Sequence, residues 1–171
     1  ISDSVAVTGA AAVAVVRAIK ELTLIEPKIK WVNDIFVDGK KVCGILTEAV
    51  TDKNGVTSVV VGIGINVATA DFPEELKSVA GSLGVALNRE DLAKSVIKHL
   101  QRLILELPKR TYLEDYKTHS CVLGREVVYV EKGAEFKAKA VDIDENGGLV
   151  VIDQNGNKKT LSTGEISVKL M

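Results

Sequence analysis

The sequence predicts an α+β chain in which an N-terminal part packs helices on a sheet and a C-terminal part is a small all-β unit. Three observations carry this. An alanine-rich stretch near the start favours helix. Two stretches of β-branched residues follow, punctuated by Asp38-Gly39 and Asn54-Gly55. Beyond Cys121 the chain breaks into short strands separated by Gly, Asn and Asp. Of 171 residues, 46% are hydrophobic and 26% charged, enough for a packed core and too apolar for disorder. Lys and Arg (22) balance Asp and Glu (23), and the balance holds on either side of residue 118. No basic arm is present, which excludes DNA binding through bulk charge.

Residues 5–22 read as a helix, apolar on nearly all sides until Arg17, Lys20 and Glu21, and therefore buried against a sheet. Its apolar run, Val5 to Val16, is too short to span a bilayer and has no basic stretch before it. A cytoplasmic protein that contacts no membrane is the expectation. Pro27 marks the helix exit, and Ile29-Lys30-Trp31 is extended. Ile35 to Val37 and Lys40 to Val50 form a hairpin through Asp38-Gly39, a dipeptide suited to the positive φ of a type I′ turn. Asn54-Gly55 turns the chain into a strand from Val56 to Val67. Val59-Val60-Val61 is apolar without alternation, which predicts a central strand covered on both faces.

Residues 68–88 read as irregular, with a short helix around Glu74 to Gly84. Asn88 caps a long helix reaching about Leu107, whose buried stripe is Leu92, Val96, Leu100, Leu103, Ile104 and Leu107. Pro108 ends it. A brief helix covers Tyr112 to Thr118. Strands at Arg125 to Glu131, Glu135 to Asp144, Leu149 to Asp153, Lys158 to Leu161 and Glu165 to Leu170 complete the chain, with turns at Asn146-Gly147-Gly148, Asn155-Gly156 and Thr163-Gly164. The expected division is 1–119 and 120–171.

No phosphate loop, nucleophile elbow or paired-His zinc motif occurs. Cys43 and Cys121 are too far apart for a metal motif and read as idle thiols in a reducing compartment. His99 and His119 read as surface or packing residues. Gly62-Ile63-Gly64-Ile65-Asn66 is not a dinucleotide fingerprint, because Val67 stands where the third glycine would be and no helix follows. Two glycines spaced by two share one face of a strand. They leave either a bare floor for a flat ring or a seat for a tightly packed helix. Asn66 offers a donor and an acceptor at the strand end. Lys30 and Lys41 border apolar runs, where a lysine calls for an anionic partner; the alternative is that Lys40 and Lys41 flank a hairpin turn in water. Strict alternation puts Lys41 and Leu46 on opposite faces, so both reach one ligand only if the strand bends, with Gly44 the expected place.

Lys30-Trp31-Val32-Asn33-Asp34, Lys41-Val42-Cys43-Gly44-Ile45-Leu46-Thr47-Glu48 and Val61-Gly62-Ile63-Gly64-Ile65-Asn66-Val67 together resemble the biotin protein ligase (biotin–acetyl-CoA-carboxylase ligase) family. Order, spacing and the alanine-rich helix upstream match, and Gly164-Glu165-Ile166-Ser167 resembles the last strand of the family's C-terminal barrel. The resemblance implies a truncated class II synthetase-like catalytic domain, with a mixed sheet flanked by helices, followed by a small SH3-like β-barrel. It implies biotin and ATP as substrates, Mg²⁺ arriving with the nucleotide, and a biotin carboxyl carrier domain as partner. Biotin would be joined to ATP as biotinyl-5′-adenylate and passed to a carrier lysine. By the same resemblance, Lys41 would bind the biotin carboxylate and act with Lys30 as the catalytic cations. Lys30 and Asn33 would lie by the phosphate or adenylate, Gly44 and Leu46 would line the biotin pocket, Gly62, Gly64 and Ile65 would form its floor, and Asn66 would reach the adenylate.

Two departures stand out. Val32 occupies a place where the family usually has proline, and no Gly-Arg-Gly-Arg run occurs to form the loop that closes over biotin. The chain also begins at Ile1 rather than Met, as expected of a piece of a longer product. The 171 residues alone are therefore expected to be inactive as a ligase. The other reading is a non-catalytic fragment or degenerate paralogue, serving only as a ligand-binding or dimerising module. A homodimer is expected on either account, with no nucleic acid bound through this part of the chain.

Overall fold

The computed structural model describes residues 2–53, 55–131, 133–162 and 167–170, the last four and residues 2–3 by backbone alone. Helix α1 (Ser2–Leu22) is the centre of the N-terminal part. Ala6, Ala10, Ala11, Ala12, Ala14, Val15 and Ala18 are fully buried, as a helix apolar all round requires. Small side chains let it approach α2 (Arg89–Leu105), α3 (Tyr112–His119) and the sheet at once. Gly9 is the tightest point: a Cβ there would stand 2.6 Å from Tyr112 Cε2.

The first sheet has strands β1 (Lys28–Lys30), β2 (Asp34–Val37), β3 (Lys40–Asp52) and β4 (Gly55–Ile65), paired antiparallel in that order. Two parallel bridges flank them, Ile29 to Ser120 and Lys41 to Ala80. Asp38 (φ 49°) and Gly39 (φ 77°) both take positive φ, the geometry that the Asp-Gly dipeptide predicts for the hairpin. Asn54 of the second expected turn lies outside the described residues.

The expectation for Val59-Val60-Val61 is corrected. Among the described residues β4 is an edge strand, and Val60 is 55% exposed. Its side chains alternate: Val59, Val61, Ile63 and Ile65 are half-buried toward the helices, while Val60, Gly62 and Gly64 face outward. An unbroken apolar run reports a low cost of burial, not burial itself.

Residues 68–88 hold one short 3-10 turn, Glu74–Leu76, rather than a helix reaching Gly84. Asn88 caps α2, its side chain accepting from the amides of Glu90 (2.8 Å) and Asp91 (3.4 Å). Leu92, Val96 and Leu103 are buried as the stripe predicts; Ile104 is 39% exposed, a correction, because the helix rotates that position past its neighbours. Strands β5 (Glu126–Glu131), β6 (Ala134–Ile143), β7 (Leu149–Asp153), β8 (Lys158–Leu161) and β9 (Ser167–Leu170) form a second antiparallel sheet in the order β8-β7-β6-β5-β9. The Gly164-Glu165-Ile166 part of the expected last strand and the Thr163-Gly164 turn lie outside the described residues. No described helix is long and apolar enough to cross a membrane.

Glu21, at the end of α1, ties that helix to α2. It accepts from Ser95 Oγ (2.6 Å) and Lys98 Nζ (2.9 Å) and meets His99 Nε2 at 2.8 Å. These partners, Lys98 foremost, hold its carboxyl down from 4.5 to about 2. A depressed carboxyl stabilises the fold above its unfolded pKa, and that contribution disappears as pH falls through the folded value. Between pH 4.5 and about 2 the protein should therefore lose stability in proportion to this group. Urea midpoints across that range should fall less steeply in Glu21→Gln than in the wild type; parallel slopes would show that the cluster does not link α1 to α2.

Candidate functional site

Lys41 and Gly44 share a face because β3 carries a bulge. Ile35 pairs with Cys43 and Phe36 with Lys41, leaving Val42 as an extra residue on β3. The bend expected at Gly44 is thus at Val42, where two consecutive side chains, Val42 and Cys43, can both be buried. Past the bulge, alternation resumes. Gly44 stands opposite Gly64 and Leu46 opposite Gly62, all on the sheet face turned away from the helices.

That face is open. A Cβ on Gly62 or Gly64 would come no closer than 3.8 Å to any atom, so no helix is packed over these glycines and the bare-floor alternative holds. What does cross the floor is the stem of Lys41: a Cβ on Gly44 would meet its Cε at 3.2 Å and Nζ at 3.3 Å. Lys41 Nζ ends 2.6 Å from Asp34 Oδ1. The contact is ionic without hydrogen-bond angles, and that buried oxygen has no hydrogen-bond partner among the described residues. Lys30 Nζ stands 5.5 Å from the centroid of the Phe36 ring, within cation–π range.

These residues line a cleft of about 500 Å³. It brings together Lys30, Lys41, Gly44, Gly64 and Asn66 with Asp34 and Phe36, and the segment Leu76 to Ala80 walls one side. Backbone hydrogen bonds hold that wall: Lys41 N–H donates to Val79 O (2.8 Å) and Gly81 N–H to Lys41 O (2.9 Å). Asn66 Nδ2 donates to Gly81 O (3.1 Å), fixing its amide at the cleft rim. Two ammonium groups against one carboxylate leave the lining cationic. A larger hollow of about 790 Å³ lies on the far side of the same wall and contains none of the expected site residues.

Four expected residues fall outside the cleft lining. Leu46 and Gly62 continue the same open face beyond it, Leu46 being 60% exposed. Asn33 is engaged in backbone support, its Nδ2 donating to Ile45 O (2.6 Å) while its carbonyl accepts from Ile45 N–H (2.9 Å). Ile65 is a correction: one residue from Gly64, its side chain points to the opposite face and lines a hollow with Val61, Ile63 and α2. The residues that sequence reasoning missed are Asp34, Phe36 and the 76–80 wall. Asp34 was legible as the lone carboxylate in the Lys30–Asp34 run; the wall left no periodic signal.

Cys43, in the cleft lining, is no nucleophile. Burial, with the Asp34 carboxylate adding to it, pushes its thiol up to about 12. Among the described residues no three His, Cys, Asp or Glu side chains converge on a metal position. Iodoacetamide at pH 8 is expected to leave Cys43 unmodified in the folded chain and to label it in urea; mass spectrometry showing prompt labelling of folded Cys43 would contradict its buried, protonated state.

The site is thus a glycine-floored, cationic cleft on one face of a helix-backed sheet. Comparison with known proteins narrows the class. The model of the biotin/lipoate A/B protein ligase family matches residues 4–66, and that of the biotin protein ligase C-terminal domain matches residues 122–169. The bifunctional ligase/repressor BirA of Bacillus subtilis is 39% identical over 166 residues, covering 89% of this chain and 50% of that protein. The biotin–[acetyl-CoA-carboxylase] ligase of Mycobacterium tuberculosis is 32% identical over 167 residues, covering 92% and 60%. The solved biotin protein ligase of Aquifex aeolicus in complex with biotin and ATP superposes with a TM-score of 0.83 at 28% identity, covering 98% of this chain and 72% of that one. Its apo form gives 0.86 at 26% identity, covering 100% and 77%. The chain belongs to the biotin protein ligase family. It spans about half the length of the curated Bacillus relative it matches.

Proposed function

We propose that the chain supplies the biotin and adenylate cleft of a biotin protein ligase. In the first step the biotin carboxylate attacks the α-phosphorus of ATP; the P–O bond to pyrophosphate breaks and biotinyl-5′-adenylate forms. In the second, an amine of a carrier-domain lysine attacks the adenylate carbonyl, forming an amide as AMP leaves and the amine gives up a proton. Both anions of the first step must be held together, and fixed cations are what make that approach favourable. The observation that carries the reading is Lys41 reaching across the Gly44 floor to a carboxylate, 2.6 Å away, in a cleft shared with Lys30.

On this reading the biotin carboxylate takes the place of Asp34 at Lys41, and Gly44, Leu46, Gly62 and Gly64 flank the ring system. Ile65 contributes through its backbone alone. Lys30 and Asn33 serve the phosphate side and Asn66 the adenylate. Mg²⁺ would come with the nucleotide, since Asp34 is the single carboxylate in the described lining and Mg²⁺ suits one carboxylate plus phosphate oxygens. The open β4 edge, with Val56 and Val60 about half exposed, supports a homodimer. A closed SH3-like barrel for the C-terminal sheet belongs to the same reading.

Equilibrium dialysis with labelled biotin tests it. Saturable binding that unlabelled biotin displaces and lipoate does not is expected; no saturable binding, or equal displacement by lipoate, would remove the biotin assignment. With no Gly-Arg-Gly-Arg run among the 171 residues, transfer of biotin to a carrier domain by this chain alone should stay near background. Robust transfer would refute that part and leave the ligase assignment standing.

A further inference from the structure

Resting on the biotin reading of the cleft, we propose that Trp31 is a positioning residue through which the C-terminal unit sets the geometry of the Lys41–Asp34 end. Trp31 is the sole tryptophan and is 5% exposed. Its indole Nε1–H donates a buried hydrogen bond of 2.9 Å to the carbonyl of Gly147, 116 residues away. A surface-independent contact of this kind is costly to leave unmade.

Both ends of that bond are fixed. Gly147 sits in a turn closed on Asp144, whose Oδ1 accepts from Asn146 N–H (2.9 Å) and Gly148 N–H (2.8 Å). Gly147 has φ +82°, and a Cβ there would stand 2.8 Å from Val5 Cγ1, so the turn is wedged against the start of α1. On the other side, Trp31 leads through Val32 into Asn33 and Asp34. Asn33 is locked to Ile45, beside Gly44, by two hydrogen bonds. Asp34 holds Lys41. Tyr116 Oη donates to Val32 O (2.9 Å), so the short turn between is gripped from α3 as well. A shift of the indole is thus transmitted through Val32 to Asn33 and Asp34.

The two parts of the chain also meet at Lys117 Nζ and Asp142 Oδ1, 2.7 Å apart. Although Lys117 follows Tyr116 in α3, neither side chain of this part-exposed pair touches a cleft residue among the contacts described, which makes it the control. The experiment compares wild type, Trp31→Phe, Gly147→Ala and Lys117→Gln by NMR without ligand, reading the Asn33 side-chain amide, the Lys41 ammonium and exchange of the Ile45 amide; biotin affinity is then measured on each. Trp31→Phe is expected to move both side-chain signals, to speed Ile45 exchange by about tenfold, the factor that corresponds to loss of one buried hydrogen bond, and to weaken biotin binding. Lys117→Gln should leave all of them at their wild-type values. Should Trp31→Phe fail to fold, Gly147→Ala attacks the same bond from its acceptor side and is expected to move the same signals. Unmoved Asn33 and Lys41 signals in the folded variants would overturn the proposal, as would equal shifts in Lys117→Gln, which would mean general loosening of the interface. A wild-type chain that binds no biotin would sink the ligase reading instead, while the ligand-free signals still decide the coupling.

Discussion

Lys41→Ala is expected to weaken biotin binding by roughly ten- to a hundredfold, the range set by loss of one charge-assisted hydrogen bond of about 1.5–3 kcal/mol. Lys41 is placed at the head of the glycine floor by the Val42 bulge, and its ammonium is already poised against a carboxylate, that of Asp34. A ligand carboxylate would replace one anion by another at the same cation. The lysine is 44% exposed, so water replaces its own contacts, but the buried Asp34 Oδ1 loses its cation, and a modest fall in the unfolding midpoint is expected. The pattern of large loss in affinity with small change in unfolding midpoint separates a ligand-binding lysine from a structural one. Gly44→Ala makes a graded companion: the added Cβ would press on the far end of the Lys41 side chain, which can lift away, so the fold survives and affinity falls less than in Lys41→Ala. Isothermal titration on both variants checks the order; an unchanged affinity in Lys41→Ala would remove that residue from the site.

Gly9→Ala carries the largest expected effect on stability. In an isolated helix the change would help, by about 0.5–1 kcal/mol, because glycine loses more conformational freedom on folding. Here the new Cβ would stand 2.6 Å from Tyr112 Cε2 and 3.3 Å from two further ring atoms. Tyr112 is 1% exposed, and the helix it belongs to is packed on α1. Overpacking of this kind costs about 1–3 kcal/mol, so the clash outweighs propensity. The urea midpoint of Gly9→Ala should fall, and adding Tyr112→Leu should recover part of the loss, since the two changes share one contact. A stabilised Gly9→Ala would mean that the ring has room to move.

Much of this molecule is readable in its sequence for reasons that are local. Asp38-Gly39 predicts a hairpin because both residues tolerate positive φ, and both take it. Asn88 predicts a helix start because its side chain can satisfy free amides, and it does. The strands after Cys121 are bounded by turn residues whose preferences act over a few positions. What sequence reasoning lost was set by strand pairing and packing rather than by local preference. Whether Val60 is covered depends on what lies beyond β4, and nothing in Val59-Val60-Val61 encodes it. The bulge at Val42 follows from pairing with β2, so the glycine two residues on drew the expectation instead. Ile65 was grouped with Gly64 through a motif, although alternation alone already places neighbouring residues on opposite faces. Asp34 meets Lys41 because β2 and β3 pair in a bulged hairpin and the Lys41 side chain reaches over Gly44 to it.

Biotin is expected to bind on the open face shared by β3 and β4, with its carboxylate at Lys41. The direct measurement is a biotin titration of the ¹⁵N-labelled chain, mapped onto the described backbone. Saturable shifts concentrated at Lys41 to Leu46 and Gly62 to Asn66, absent when biotinamide replaces biotin at the same concentrations, are the predicted result. Shifts concentrated around Leu24, Phe72 and Lys77 in the larger hollow, or an equal response to biotinamide, would contradict it.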